Sequence, residues 1–262
     1  MAIEAGHALE RFLEQPGPAV IGASEGVTYL SAAYEFALQL DDVLRRRGLR
    51  ECAPLAFVTP EPYLGHLDVG APAARRVLER LFARRHITVL TGAAIERVDR
   101  EGVHLRDGQT LPAAYTMIMP PFSGVVSIWQ SPDLTDAHGF VPVDAQYRHV
   151  LYPEIYAVGV AASSPVTVGT PKTGYLAAAA AKVAAQNIAA VIMGSAPAAR
   201  ALPRLRDLRI LDGGDMGVLL SADLARPLRL ALPLPGRSAH WIKRLLARYL
   251  LWKLHTGRTH WP

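Results

Sequence analysis

The alternation of buried strands with amphipathic helices in the first ninety residues most constrains the fold. Short apolar runs at 18–22, 55–59 and 87–90 predict strands, and apolar residues at helical spacing predict helices over 29–47 and 73–85. A chain that alternates strand and helix in this way forms a parallel sheet covered by helices. The sequence therefore predicts an α/β protein built on a Rossmann-like unit.

The pattern changes after this unit. Short strands are predicted at 94–98, 102–105 and 109–111, and Asp107-Gly108 is a hairpin signal between the last two. Such a meander commonly crosses over a nucleotide-binding sheet. Further predicted elements are a helix over 5–14, a strand over 115–119, an alanine-rich helix over 175–193 and a helix-like stretch over 240–255.

The tail of the chain carries the positive charge. The formal net charge is +5, and no Asp or Glu follows Asp223. The basic side chains beyond that residue are Arg226, Arg229, Arg237, Lys243, Arg244, Arg248, Lys253 and Arg258. A basic body would have indicated nucleic acid, which we therefore do not expect as a partner. A basic, apolar tail indicates an anionic membrane surface instead.

Residues 237–258 are the predicted membrane contact. Trp, Leu and Tyr alternate there with Lys and Arg, as in helices that lie in the membrane interface. The alternative is a C-terminal helix docked on the body with its charges solvated. No apolar run reaches the roughly 18 residues of a membrane-spanning helix, and the first residues lack the apolar core of a signal peptide. We expect a cytoplasmic protein that associates peripherally with a membrane.

The turn after the first strand has the outline of a dinucleotide site. In such sites a second glycine lets the backbone approach the pyrophosphate, but Ser24 occupies that position. Glu25 is expected at the helix N terminus, where its charge would oppose the phosphates. We interpret this turn as part of a Rossmann unit that does not bind NAD, with a nucleotide site as the less favoured alternative.

Two later segments are candidate flavin contacts. In many flavoproteins a strand ends in Gly-Asp and the aspartate holds the ribityl chain, whereas here Gly159 is followed by Val160. Gly159 could still permit close approach of the backbone to a cofactor. Lys172, Thr173 and Gly174 open the alanine-rich helix, where a helix N terminus and a lysine suit the negative charge of a reduced flavin. The alternatives are a buried strand with a tight exit and an ordinary capped helix with a surface lysine.

His66 is a candidate proton donor. It lies in a Pro/Gly loop after a predicted parallel strand, where α/β sheets place their ligands. A lone histidine is more often a surface or satisfied residue, and that alternative stays open. Cys52 is the single cysteine, so neither an intrachain disulfide nor a cysteine-rich zinc site can form.

Five segments in the same order resemble sulfide:quinone oxidoreductases. They are 18–23, 33–37, 57–66 with its Thr-x-Glu-Pro-Tyr-x-Gly-His pattern, 168–174 with its Pro-Lys-Thr-Gly, and the closing 231–233 with 249–253. The resemblance implies an FAD-dependent flavoprotein that passes electrons from a reductant to a membrane quinone. It also implies that Lys172 lies near flavin and quinone and that His66 lies in the active-site region.

The resemblance further implies a division of the chain. Residues 1–17 would be a connecting helix, 18–112 an NAD-like Rossmann domain, 113–200 the C-terminal part of an FAD domain, and 201–262 a membrane-association region. The sequence holds no Gly-x-Gly-x-x-Gly turn for the FAD pyrophosphate. A separate N-terminal FAD-binding half is therefore a candidate partner.

The cysteines of the family are missing. Their expected positions lie near Ile3, Tyr29 and Arg209, and Cys52 matches none of them. A persulfide relay needs an attacking thiolate and a partner sulfur, so we expect quinone reduction without cysteine-based sulfide chemistry. The alternatives are an NADH:quinone oxidoreductase-like flavoprotein, which Ser24 and Glu25 disfavour, and a truncated non-catalytic module that docks on membranes.

Overall fold

The structure is a computed structural model that describes residues 2–66, 72–124, 131, 133–163, 174–197, 206–223 and 226–258. Its helices are α1 (Ala2–Glu14), α2 (Ser31–Arg46), α3 (Pro72–Arg84), α4 (Gly174–Ile192) and α5 (Ser238–Thr256). Its first strands are β1 (Ala19–Ala23), β2 (Leu55–Val58), β3 (Thr88–Leu90), β4 (Ile95–Val98), β5 (Gly102–Leu105), β6 (Thr110–Pro112) and β7 (Tyr115–Met119). These bounds confirm the elements predicted up to residue 119.

A parallel sheet in the order β3-β2-β1-β7 forms the centre of the molecule. Every residue of β1 is buried, which explains why this strand is a continuous apolar run. The aromatic rings of Tyr34, Phe57 and Phe82 pack together where α2 and α3 cover β2. On the other face, Val103 and Leu105 of the β4-β5-β6 meander contact Val20 and Val58. The predicted parallel α/β fold is confirmed.

A second sheet lies in the region that the sequence shows only as a Leu/Arg/Pro-rich tail. Its antiparallel strands are β10 (Arg206–Asp212), β11 (Gly217–Asp223) and β12 (Arg226–Leu234). It packs on α2 and α3, and Leu211, Val218 and Leu220 belong to the same apolar core as β1 and β2. The C-terminal sheet therefore completes the core of the Rossmann-like unit.

Arg85 fixes the C-terminal sheet to the helices beneath it. Its guanidinium is buried, and it donates to Leu38 O at 3.3 Å and to Gly213 O at 3.1 Å in the β10–β11 turn. It also pairs with Asp41 at 3.0 Å and with Asp215. The fully buried Asp41 is held in addition by two arginines, Arg45 at 2.7 Å and Arg50 at 2.6 Å. Every buried charge in this cluster has partners of opposite sign, and this pairing offsets the cost of removing the charges from water.

The segment from 141 to 192 forms a small core of its own. The short strands β8 (Val141–Pro142) and β9 (Ala162–Ser163) pair in parallel beside α4. Val143 and Tyr147 pack there against Ala180, Val183 and Ala184 of α4. Ile192, at the end of α4, and Met193 after it are largely exposed.

Helix α5 contacts the body near its beginning. Ala239 is buried against Gly217, His240 Nδ1 lies 3.1 Å from Asp212 Oδ2, and Lys243 pairs with Glu35. Beyond these contacts, the large apolar residues of α5 are exposed. No helix among the described residues has the length and apolar character needed to span a membrane.

Candidate functional site

A buried polar network shapes the loop that carries His66. Glu61 follows β2 and is 3% exposed. Its Oε2 accepts hydrogen bonds from Tyr34 Oη at 2.5 Å and from Thr59 Oγ1 at 2.9 Å. Tyr34 Oη in turn accepts from Gly65 N–H at 2.8 Å. The loop 61–66 is thereby tied to α2 at the carboxyl edge of the sheet, where parallel α/β folds place ligands.

The loop also sits directly on helix α3. Gly65 has φ +83°, a conformation that side chains with a Cβ rarely adopt. A Cβ at this position would lie 2.9 Å from both Ala74 Cβ and Leu78 Cδ1. Glycine is therefore required here for two reasons, the turn and the close contact with α3. It thereby fixes the position of the backbone that leads into His66.

His66 packs against an aromatic neighbour of its own loop. Its ring meets the ring of Tyr63 edge-on, with centroids 5.2 Å apart. The guanidinium of Arg75 lies over the same Tyr63 ring, 5.2 Å from its centroid. Arg75 is itself bound to Glu79 at 2.8 Å. His66 is partly exposed, so its imidazole is oriented by Tyr63 and still reachable from outside.

The turn after β1 differs from the predicted geometry. Glu25 was expected at the helix N terminus, but α2 begins only at Ser31, so that prediction is wrong. Glu25 pairs instead with Arg106 of the meander at 2.6 Å. Ser24 Oγ donates to Met119 O at 3.2 Å, which ties the turn to β7. The long 24–30 segment separates β1 from the helix because this turn is braced by the meander and β7.

Gly159, Val160 and Gly174 lie at one end of α4. Gly159 has φ +68° and opens a short 3-10 turn, and a Cβ there would lie 3.2 Å from Ala177 Cβ in the first turn of α4. Val160 is 39% exposed, and no atom of the described residues lies within 4 Å of where a Cβ of Gly174 would be. Lys172 and Thr173 lie outside the described residues. The structure brings Gly159 and Val160 to the beginning of α4, and no described contact joins them to His66.

Two polar side chains, Asp144 and His149, build the turn before this segment. Asp144 Oδ1 accepts from Gln146 N at 2.8 Å and from Arg148 N at 3.0 Å. His149 is buried, and its Nδ1 accepts from the backbone N–H groups of Leu151 and Tyr152 at 3.0 Å each. Burial raises the pKa of Tyr147, inside this turn, to about 12. No sequence pattern distinguishes such turn-forming polar residues from solvent-facing ones.

One exposed cluster has the residue types of a metal site. Ligand atoms of Asp99, Glu101 and His104 lie within 4.8 Å of one another. Arg97 already pairs with Asp99, and His104 Nδ1 lies 3.0 Å from Thr110 Oγ1. These contacts explain the cluster as part of the meander. Cys52 is exposed at the end of a 3-10 turn that begins at Arg50 and precedes β2, whereas the His66 loop follows β2.

Comparison with known proteins identifies the fold and its relatives. The chain is 34% identical to the sulfide-quinone reductase of Aquifex aeolicus (strain VF5) over 270 residues, which cover 98% of this chain. The X-ray structure of the sulfide:quinone oxidoreductase from that bacterium superposes with a TM-score of 0.87, again over 98% of this chain. In both sequence and fold, the chain is similar to sulfide:quinone oxidoreductases along nearly its whole length. The chain spans 62% of the length of these relatives.

More distant structures share the Rossmann-like fold with this chain. The ferredoxin reductase for the CYP199A2 system of Rhodopseudomonas palustris is 17% identical, with a TM-score of 0.55 over 83% of this chain and 50% of its own. The putidaredoxin reductase in its covalent complex with putidaredoxin is 16% identical, with a TM-score of 0.53 over 87% of this chain and 54% of its own. No protein-family model matches the chain.

Proposed function

We propose that this chain is part of an FAD-dependent oxidoreductase that passes electrons from a reductant to a membrane quinone. The observation that carries the proposal is its similarity in sequence and fold to the sulfide-quinone reductase of Aquifex aeolicus along 98% of the chain. That relative is named for quinone reduction, and we infer the same activity for this chain from the similarity.

The residues at the start of α4 fit one edge of a flavin site. Gly159 leaves its backbone bare beside α4, and the described residues place no atom within 4 Å of a Cβ at Gly174, at the helix N terminus. Gly159, Val160 and Gly174, together with Lys172 and Thr173, would hold the flavin. A bound FAD would supply two-electron transfer between donor and quinone. The positive end of α4 favours negative charge at that edge. The division at 112 and 200 into an NAD-like and an FAD-domain part belongs to the same proposal, as does a separate N-terminal FAD-binding half.

His66 would supply a proton to the reduced quinone. Imidazole is the side chain that most readily exchanges a proton near neutral pH. The loop geometry supports this role, since Gly65 and Tyr63 fix the ring while leaving it partly exposed. Lys172 would contribute a positive charge close to flavin and quinone, as its position in the resemblance implies.

The donor would be oxidised without a cysteine relay. The chain has one cysteine, and Cys52 is exposed on a turn at the opposite end of β2 from loop 61–66. A single thiol cannot close the disulfide that such a relay requires. The proposed reaction is therefore donation of electrons directly to the flavin, from a reductant other than a cysteine-bound persulfide.

Helix α5 would hold the protein at an anionic membrane surface. Its apolar residues remain exposed beyond its contacts with the body, including Trp241, Leu245, Leu251 and Leu254. Arg244 lies over the ring of Trp241 and Arg258 over that of Trp252, so cations flank the aromatic groups. A basic helix with exposed Trp and Leu suits the membrane interface. A non-catalytic docking module would use the same surface and is the second candidate.

NADH is a poorer donor for this site. An acidic residue near the end of the second strand usually binds the ribose of NAD, whereas Glu61 is buried in hydrogen bonds to Tyr34 and Thr59. Glu25, paired with Arg106, adds a negative charge to the turn where pyrophosphate would bind.

The deciding experiment is the visible absorbance spectrum of the protein purified in mild detergent, with the cofactor released by acid and quantified. Near-stoichiometric FAD supports the oxidoreductase, and NADH titration then separates an NADH-dependent enzyme from one that uses another donor. No flavin, even after FAD is added, contradicts catalysis by this chain and favours the docking module. Vesicle binding in the same preparation tests the membrane contact separately.

A further inference from the structure

The solvent face of α3 carries a stripe of like charge. Arg76, Arg80 and Arg84 are exposed and follow one another at the four-residue spacing that places side chains in line on a helix. We call these residues the arginine stripe. Like charges at this spacing destabilise a helix. The sole acid of α3 is Glu79, which is bound to Arg75. None of the stripe residues forms an ion pair within the described residues.

The neighbouring strand leaves its outer edge open. Leu90 O accepts from Thr59 N–H at 2.9 Å, so the backbone of Leu90 faces β2. Hydrogen-bonding direction alternates along a strand, and the N–H and C=O groups of Val89 therefore point away from the sheet. In the described part of the chain, β3 pairs only with β2. Unpaired groups at a sheet edge are a template for another strand.

A pocket of about 300 Å³ lies between this edge and α3. Buried Leu64, Phe82 and Ile87 make its wall apolar, and Val89 lines it from the open strand. Tyr63 and Arg75 lie at its rim, with the guanidinium over the ring. We call this space the edge pocket. It has the size and polarity to take one large apolar side chain.

We propose that the edge pocket and the arginine stripe form a docking surface for an acidic polypeptide segment of another protein. The segment would pair with Val89 in an extended conformation, place an apolar side chain in the edge pocket, and set carboxylates against the arginine stripe. Positive charge on one partner selects negative charge on the other.

The same observations disfavour a second copy of this chain. Two copies joined through β3 about a twofold axis would present the same surface to each other. The arginine stripe of one copy would then lie near that of its partner, and like charges at an interface are repulsive. The surface therefore fits a partner of opposite charge rather than itself.

The test uses the full chain and fluorescein-labelled peptides. The probe is Glu-Glu-Val-Phe-Val-Glu-Glu, and the control peptide replaces each Glu with Lys. Fluorescence anisotropy is expected to show binding of the acidic peptide only. The triple variant R76Q/R80Q/R84Q is expected to weaken that binding about tenfold. Ala83→Phe, which fills the edge pocket from an exposed position, is expected to weaken it as well, and Arg100→Gln on the meander serves as the matched control.

The backbone pairing has its own readout. Hydrogen exchange followed by NMR is expected to show a rapidly exchanging Val89 amide in the free protein and a protected one with the acidic peptide. A Val89 amide already protected without peptide would overturn the proposal, because the edge would then be covered. Equal binding of both peptides, or binding unchanged in the triple and Ala83→Phe variants, would also overturn it. So would a stripe-dependent preference for vesicles of anionic lipid over the acidic peptide, since the occupant would then be a membrane.

Discussion

Tyr34 Oη donates a 2.5 Å hydrogen bond to Oε2 of Glu61 and thereby joins helix α2 to the loop that carries His66. Both residues are buried. The same hydroxyl accepts from Gly65 N–H, so one side chain organises both ends of the loop. The position of His66 therefore depends on a helix residue far from it in sequence.

Replacing Tyr34 by Phe should destabilise the protein without opening a cavity. The change leaves Glu61 with one fewer donor and Gly65 N–H without its acceptor, and the expected loss is about 1.5–3 kcal/mol. Urea unfolding followed by circular dichroism measures it. Tyr152→Phe on an exposed turn is the control and should change stability little. Equal stability of the two variants would show that the network does not hold the loop.

Arg85, directly after α3, should be among the positions most sensitive to substitution. Arg85→Gln leaves Asp41 with fewer partners and frees the β10–β11 turn, and we expect a loss of about 3–5 kcal/mol. Arg85→Lys should rescue little, because one ammonium cannot reach acceptors on α2, Asp41 and the turn together. Arg75→Gln removes an exposed pair and should cost less than about 1 kcal/mol. Free energies of unfolding of the three variants test this prediction, and equal losses for Arg85→Gln and Arg75→Gln would contradict it.

The contact between the start of α5 and β11 should be disrupted when Gly217 gains a side chain. A Cβ at this position would lie 2.3 Å from Ala239 Cβ and 2.6 Å from Leu211 O. Gly217→Ala should therefore lift the start of α5 from β11, at a cost of about 1–3 kcal/mol. Limited trypsin digestion should then cut faster near Arg237 and Lys243. Gly6→Ala, which meets no atom within 4 Å, should leave the cleavage rate unchanged.

The exposed leucines of α5 should determine membrane affinity. Leu250 and Leu254 lie one turn apart and are 48% and 74% exposed. The double variant L250Q/L254Q should bind vesicles of anionic lipid about a hundredfold more weakly, roughly tenfold for each leucine buried in the interface. Co-sedimentation measures the partition, and Leu151→Gln, an exposed leucine elsewhere, is the control. Unchanged binding of the double variant would contradict membrane contact through α5.

Tyr147 should make the folded protein sensitive to alkali. Burial raises its pKa from an ordinary value of 10 to about 12. The unfolded chain then loses this proton at lower pH than the folded one, so stability falls as the pH rises from 10 towards 12. Tyr147→Phe should remove this part of the decline. Unfolding free energies of both proteins between these pH values test it, and parallel curves would contradict the assignment to Tyr147.

The parallel sheet could be predicted because buried strands leave continuous apolar runs, and β1 and β2 are of this kind. The C-terminal sheet could not. Strand β10 mixes Arg206, Asp207 and Arg209 with leucines, so its charges conceal the face that Leu211 turns towards α2. The position of the His66 loop after β2 could also be predicted, from its Pro and Gly residues and the apolar strand before it. The Tyr34–Glu61 contact joins residues 27 positions apart, and the choice of partner for a buried carboxylate is fixed by tertiary packing.

The packing of Leu211 and Leu220 against α2 also sets the order in which the chain can fold during synthesis. The Rossmann-like strands leave the ribosome first, yet their apolar core stays open until β10 and β11 arrive. A nascent chain released before that point exposes the outer faces of α2 and α3. Long-range closure of this kind slows folding and leaves intermediates open to aggregation. Productive folding of this unit is therefore expected to wait until β10 and β11 have been synthesised, and its yield in cells should rise with chaperones that shield unfinished chains.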